Sequence, residues 1–174
     1  VFLLGNGTNL LAADEGLDAL VIQMGEGLNR VSLDGETITA EAGVSLARLG
    51  VFAWQHGLTG LEFAHGIPGS LGGGVVMNAG AYGGELKDVL TEVTALFPDG
   101  IRTLRGEELA LGYRHSAFTD HPEAAVLRAK LALTRGDADA IKARMEELAA
   151  KRRVSQPLEL PSAGSTFKRP EGYF

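Results

Sequence analysis

A chain of 174 residues with net charge −6, 24 glycines and no cysteine is long enough to bury a core. It has no disulfide, thiolate nucleophile or Cys-ligated zinc or iron–sulfur centre, and its acidic balance argues against general nucleic-acid binding. The glycines lack a three-residue period, which excludes collagen, and the longest stretch without acidic or basic residues, Phe63 to Gly84, is interrupted by glycines and Pro68, which excludes a helical bilayer span.

In chain order, Val1–Leu4 reads as a strand feeding the loop Gly5-Asn6-Gly7-Thr8-Asn9, and Leu20–Met24 as a second, buried strand. Arg30–Leu33 and Thr37–Glu41 alternate around Asp34-Gly35, a hairpin signal. Ser45 is the expected N-cap of a largely buried helix over Leu46–Gln55, with Gly57 at its C′ position. Val93–Phe97 and Ile101–Leu104 flank Pro98-Asp99-Gly100 as a second hairpin, followed by a short helix around Glu107–Leu111 and a strand over Ala125–Leu133. Asp137 caps a helix that places Ile141, Met145 and Leu148 on one face and ends near Arg153. Hairpins interrupted by helices indicate an α+β fold.

Glycine is about twice its usual share, and ten of the glycines fall between Gly57 and Gly84. The dense runs are Gly66-Ile67-Pro68-Gly69-Ser70-Leu71-Gly72-Gly73-Gly74 and Asn78-Ala79-Gly80-Ala81-Tyr82-Gly83-Gly84. So many glycines cost backbone entropy; close approach of main-chain N–H groups to an anion such as a diphosphate would compensate. Tight turns and close strand crossings are the alternative use. There is no Gly-Lys pair for a Walker A loop. Gly5-Asn6-Gly7 has Leu10 where a dinucleotide fingerprint needs its third glycine.

From Lys142 to Pro170 there are seven basic and three acidic residues, suited either to an anionic small molecule or to a solvated helix face. His56, His65, His115 and His121 form no His-x₃-His or His-Glu-x-x-His pattern, so no metal is expected. No signal peptide is visible. The chain opens inside an apolar run without Met and closes just after a Gly-Ser-Thr-rich segment, as expected of a piece excised from a longer protein.

Five motifs occur in order: Gly5-Asn6-Gly7-Thr8-Asn9-Leu10-Leu11, Gly66-Ile67-Pro68-Gly69-Ser70, Met77-Asn78-Ala79-Gly80-Ala81-Tyr82-Gly83, Gly112-Tyr113-Arg114-His115-Ser116 and Pro161-Ser162-Ala163-Gly164-Ser165-Thr166-Phe167-Lys168. Together they resemble the UDP-N-acetylenolpyruvoylglucosamine reductase (UDP-N-acetylmuramate dehydrogenase) family. The resemblance implies an α+β FAD-binding fold of the vanillyl-alcohol-oxidase (PCMH) type, with two FAD subdomains and a separate substrate domain. On that map residues 1–13 end the first subdomain, 17–135 form the second, and 137–174 are a connecting helix and the start of the substrate domain.

The resemblance further implies noncovalent FAD, with His65 an ordinary loop residue, and NADPH as cosubstrate. The implied cofactor-binding residues are Gly5, Asn6, Gly7, Thr8, Asn9 and Leu10, then Gly66, Ile67, Pro68, Gly69, Ser70, Gly72 and Gly73, then Asn78, Ala79, Gly80, Ala81 and Tyr82. Arg114 matches the family's arginine for the substrate carboxylate and the enolate, and Ser165 its proton donor. Tyr113, Arg153 and Lys168 match substrate-binding positions for a UDP-sugar. A guanidinium is always charged and pairs with a carboxylate through two parallel hydrogen bonds. The family's third catalytic residue, a later glutamate, has no match here, and Glu171 does not stand in for it. The chain alone is therefore not expected to complete the reaction.

The implied setting is peptidoglycan synthesis in the bacterial cytoplasm, with no nucleic acid, membrane or obligate protein partner. Another flavin oxidoreductase of the same fold, or a non-catalytic domain using its glycines for packing, are the alternatives.

Overall fold

The computed structural model describes residues 1–156, 159–160, 166–170 and 172. Its first strands, β1 (Phe2–Leu4) and β2 (Val21–Gln23), pair in parallel. β2 was expected to be buried and is not: Val21 is 42% and Ile22 44% exposed. The physical reason is that the two strands form a sheet of their own, and an isolated strand pair cannot bury its faces.

The hairpin of β3 (Val31–Asp34) and β4 (Thr37–Glu41) pairs Asp34 with Thr37. Its two-residue turn is therefore Gly35-Glu36, one place later than expected. Gly35 at φ +59° takes the first turn position, where a hairpin matching the strand twist favours glycine. The helix α1 (Leu46–Gln55) follows, its Ser45 hydroxyl accepting the Arg48 N–H at 3.2 Å. It ends as expected at Gly57, whose N–H donates to the Trp54 carbonyl at 2.9 Å. Leu46, Leu49, Gly50 and Ala53 are its buried stripe, while Val51, Phe52 and Trp54 are only partly covered.

After β5 (Leu58–Thr59) and a 3₁₀ turn at Glu62–Ala64 come the glycine-rich helix α2 (Leu71–Val76) and the small hairpin of β6 (Gly80–Ala81) and β7 (Gly84–Glu85). The long hairpin β8 (Leu90–Phe97) and β9 (Gly100–Arg105) falls where expected. The helix expected around 107–111 is instead a 3₁₀ turn at Gly106–Leu109, stopped by Ala110 in the left-handed conformation at φ +46°. A short helix α3 (Ala117–Asp120) leads to β10 (Ala125–Ala132), β11 (Thr134–Arg135) and the long helix α4 (Ala138–Ser155).

The main sheet is antiparallel in the order β3-β4-β10-β8-β9, so the last long strand lies at its centre. A register shift between Val126 and Arg128 moves the buried parity of β10 from Val126 to Ala129 and Leu131, as a bulge does. With Ile38 and Ala40 of β4 and Val93, Ala95 and Phe97 of β8, these residues form the sheet's share of the core. On β8, burial sets Glu92 against ionisation, but hydrogen bonds from Lys130 and Arg105 outweigh it and hold the carboxyl below the usual range. That one side chain ties three strands together.

The helix α4 is capped by Asp137, whose carboxylate accepts the Ala140 N–H at 2.8 Å, and it buries Ile141, Met145 and Leu148. Its outward basic residues Lys142, Arg144 and Lys151 pair with Glu146 and Glu147, so much of the basic C-terminal section is a solvated helix face. Among the described residues no helix is long and apolar enough to cross a membrane.

One close contact outside the glycine-rich segment locks the edge of this fold. Gly43 donates its N–H to the Leu28 carbonyl at 2.8 Å, and a Cβ there would meet the Gly25 carbonyl oxygen and sit 2.7 Å from that of Leu28. Both obstacles are backbone. Gly43→Ala is expected to destabilise the fold by roughly 1–3 kcal/mol in chemical denaturation. Gly27→Ala, where nothing lies within 4 Å, should stay within about 0.5 kcal/mol.

Candidate active site

The glycine-rich segment places one cluster of predicted site residues at each end of α2, about 9 Å apart by the rise of its six residues. At the first end, the loop after β1 meets Gly66–Ser70. The Thr8 hydroxyl donates to the Pro68 carbonyl at 3.2 Å across 60 residues of chain. A Cβ on Gly69 would sit 3.1 Å from Thr8 Oγ1, and one on Gly5 would sit 2.5 Å from Ser70 Oγ. A side chain at Gly5 would force the Ser70 hydroxyl to move, and Gly69 at φ +130° has a backbone conformation that strains any side chain. The loop is pinned from behind: Leu46 donates to the Gly69 carbonyl at 3.0 Å and Leu71 to that of Val44 at 2.7 Å.

Ser70 is 1% exposed, and its hydroxyl has no hydrogen-bond partner among the described residues. Leaving a buried hydroxyl unpaired costs about 1–3 kcal/mol, so a ligand oxygen is the natural missing partner. Asn6, Gly7, Thr8, Asn9 and Leu10 are exposed beside it. Bare backbone and an orphaned hydroxyl make a cradle that fits a diphosphate.

Not every predicted residue contributes in the expected way. Gly72 donates its N–H to the Ala42 carbonyl at 2.8 Å, and Gly74 to that of Ser70 at 2.9 Å. The first N–H is spent on packing against Ala42 and the second on the helix's own ladder, which leaves Gly73 as the exposed glycine of the run. The Ile67 N–H is likewise spent on the Ala64 carbonyl.

At the second end, Asn78 is fully buried and left-handed at φ +41°. Its amide donates to Glu85 at 2.6 Å and to the Gly112 carbonyl at 2.9 Å, and its Oδ1 accepts the Lys87 N–H at 2.9 Å. Both amide hydrogens are already committed to protein. Ala79 is buried against Leu86, whose N–H its carbonyl accepts. Gly80 and Ala81 form β6, and Tyr82-Gly83, at φ +55° and +86°, make the two-residue turn favoured in hairpins. The carboxylate of Glu85, hydrogen-bonded to Lys87, holds the Lys87 ammonium above the usual lysine range.

Arg114 stands opposite this hairpin. Gly112 and His115 exchange hydrogen bonds of 3.1 and 3.2 Å, putting Tyr113-Arg114 at the tip of a tight turn. Arg114 has φ +54°, a conformation that costs a non-glycine residue roughly 1–2 kcal/mol. Its Nη2 donates to the Gly80 carbonyl at 2.9 Å, and its guanidinium lies 5.2 Å from the centre of the Tyr113 ring. Among the described residues Arg114 makes no ion pair. Its charge is therefore free for an anion, and a carboxylate fits the guanidinium fork.

Half-exposed Tyr113 accepts the Arg169 N–H at its Oη, 3.3 Å away. That contact brings Lys168, one residue earlier, into the neighbourhood. Ser165 lies outside the described residues. Arg153 is elsewhere, lining a cleft of about 280 Å³ with Trp54, His65 and Lys142. The arginine against the first loop is its neighbour Arg152, whose Cδ would be 3.6 Å from a Cβ on Gly66. Sequence reasoning missed Arg152 although a signal was present: 152 continues the 141, 145, 148 stripe of α4, and 153 does not.

The FAD binding domain family model matches residues 1–105. The UDP-N-acetylenolpyruvoylglucosamine reductase of Syntrophomonas wolfei is 52% identical over 174 residues, covering 99% of this chain and 58% of that protein. The protein of the same name from Limosilactobacillus reuteri is 51% identical over 173 residues, covering 99% and 57%. The crystal structure of UDP-N-acetylenolpyruvylglucosamine reductase from Thermus caldophilus matches with a TM-score of 0.87 at 37% identity, covering 99% of this chain and 62% of that one. The chain thus spans under two thirds of the length of these relatives.

Ser70→Ala gives a test with two opposite signs. Without ligand, removing the orphaned hydroxyl should raise stability by about 1 kcal/mol, read by thermal melting. FAD affinity should fall roughly tenfold, equivalent to about 1.4 kcal/mol, in a fluorescence titration. A less stable ligand-free variant would show that the hydroxyl is already partnered.

Proposed function

This chain belongs to the family of FAD binding domains, and we propose that it forms the cofactor-holding part of a UDP-N-acetylenolpyruvoylglucosamine reductase. The proposed reaction uses NADPH to reduce the enolpyruvyl group of UDP-N-acetylglucosamine enolpyruvate to the lactyl ether of UDP-N-acetylmuramate. The observation that carries this reading is Arg114, a guanidinium with no ion pair among the described residues, on a left-handed turn at the far end of α2 from the diphosphate cradle. Strain of this kind collects at functional sites. Near-50% identity to reductases along the whole chain supports it.

When bound, FAD supplies the hydride-transfer chemistry. Gly5 to Asn9 with Gly66, Gly69 and Ser70 would hold its diphosphate by N–H groups and the Ser70 hydroxyl, and Gly73 and Ala79 to Tyr82 would line the rest of the cofactor. Arg152, against Gly66, adds positive charge there. Arg114 binds the substrate carboxylate and stabilises the negative charge that develops as the enolpyruvyl group is reduced, the place where a fixed cation lowers a barrier most. Tyr113 and Lys168 border the same space, whereas Arg153 lines the separate cleft with Trp54 and His65. Ser165 gives its hydroxyl proton to the α-carbon. A hydroxyl is a weak acid, but an enolate is a strong base, and a positioned O–H beside it is a competent donor. The cytoplasm, where NADPH and nucleotide sugars are available, is the proposed location.

The test uses the full-length parent protein. It should purify yellow, and a colourless parent that takes up no added FAD would contradict the proposal. Ser165→Ala should leave flavin reduction by NADPH at the wild-type rate and slow the step on the enolpyruvyl sugar by about 10²–10⁴-fold, in stopped-flow absorbance. Equal slowing of both halves would remove Ser165 from the donor role. Arg114→Lys should be nearly as damaging, since one ammonium cannot reproduce the guanidinium fork.

A further inference from the structure

We propose that Glu85 and Asn78 are positioning residues for Arg114, acting through the Gly112 carbonyl; the proposal rests on the reading of Arg114 as the carboxylate clamp. The turn that presents Arg114 is short and closed by two reciprocal backbone bonds, 3.1 and 3.2 Å long. The position after its first corner has φ +54°, where glycine or asparagine is the ordinary occupant. Something outside the turn must hold it.

Asn78 does so directly, donating to the Gly112 carbonyl at 2.9 Å from a fully buried side chain. An amide in this place has two orientations. With its nitrogen toward Glu85 and Gly112 it meets two acceptors, and its oxygen meets the Lys87 N–H. Reversed, it would set an oxygen against a carboxylate and a carbonyl and a nitrogen against an N–H. The Glu85 carboxylate, 2.6 Å from the amide nitrogen, selects the first orientation, and charged acceptors make the stronger hydrogen bonds. Lys87, 2.6 Å from the other carboxylate oxygen, keeps Glu85 in place.

The same hairpin also holds the guanidinium. Glu85 pairs with Gly80 across β6 and β7, and the Gly80 carbonyl accepts from Arg114 Nη2 at 2.9 Å. Backbone and head group of Arg114 are thus both referenced to the β6–β7 hairpin. The Ser116 hydroxyl adds a third tie, donating to the Val76 carbonyl at 2.8 Å.

The experiment compares Glu85→Gln and Asn78→Asp with wild type in the FAD-loaded, full-length parent. In Glu85→Gln, deuterium exchange at the Gly112 and His115 amides should speed up at least tenfold, with β8 and β10 unchanged. The KM for the enolpyruvyl sugar should rise about tenfold while flavin reduction by NADPH stays within twofold. Asn78→Asp, which sets a carboxylate against Glu85 and the Gly112 carbonyl, should accelerate exchange further. If Asn78→Asp does not fold, Glu85→Gln decides alone. Wild-type exchange at Gly112 and His115 in Glu85→Gln overturns the proposal, as does faster exchange with unchanged KM and kcat. Faster exchange in a parent whose wild type does not reduce the enolpyruvyl sugar would support the positioning role and overturn the functional reading instead.

Discussion

The glycine-rich segment lies against the junction of β4 and α1 at backbone contact distance. Three hydrogen bonds hold it there, from Leu46 to Gly69, Leu71 to Val44 and Gly72 to Ala42. A Cβ on Gly72 would sit 3.0 Å from the Ala42 Cβ and 3.3 Å from its carbonyl oxygen, so the approach depends on glycine at that point. From this one contact the rest of the site follows. It sets Ser70 against Gly5 at one end of α2, and at the other it delivers Asn78 to the Gly112 carbonyl. The glycines therefore serve two ends at once: some leave the cradle open, and others bring the backbone close enough to build it.

The second end stores strain. Among the described residues four non-glycine residues have positive φ, namely Asn78, Tyr82, Ala110 and Arg114, and three of them belong to the Arg114 cluster. Each such conformation costs on the order of 1–3 kcal/mol and persists only where the surroundings over-determine it. Here the surroundings are identifiable. Asn78 is fixed by three hydrogen bonds, Tyr82 by a two-residue hairpin turn, and Arg114 by the Gly112–His115 turn and the Gly80 carbonyl. A guanidinium with no ion pair among the described residues, at the end of such a chain of supports, is held in place in advance, and preorganisation of this kind lowers the cost of binding.

Much of the fold was legible because its signals are local. The stripe of Ile141, Met145 and Leu148, the Ser45 and Asp137 caps and the Gly57 terminator each act within one or two turns, and the structure has them all. The insertion of β10 between β4 and β8 was not legible, since strand alternation says nothing about which strands pair. The helix α3 has four residues, too few for any periodicity, and β2 carries a buried strand's composition on an uncovered pair. Within the site, residue type separated loops from elements but not one glycine from the next. Gly72 and Gly73 read alike in sequence, and only the Ala42 carbonyl distinguishes them. Arg152 and Arg153 differ by one step around a helix, and helical phase, not charge, decides which reaches Gly66. Asn78 drew notice for its glycine-rich surroundings, whereas its hydrogen bonds go to Glu85 and Gly112, partners at a sequence distance no motif encodes.

The central claim is that bare backbone and the orphaned Ser70 hydroxyl form a diphosphate cradle at one end of α2, with Arg114 free at the other. A crystal structure of the full-length protein with FAD tests it most directly. The account predicts a diphosphate oxygen within about 3.2 Å of Ser70 Oγ, further contacts from the Gly5–Asn9 backbone, and the flavin ring on the Arg114 side. A diphosphate bound elsewhere, with Ser70 still unpartnered, would contradict it.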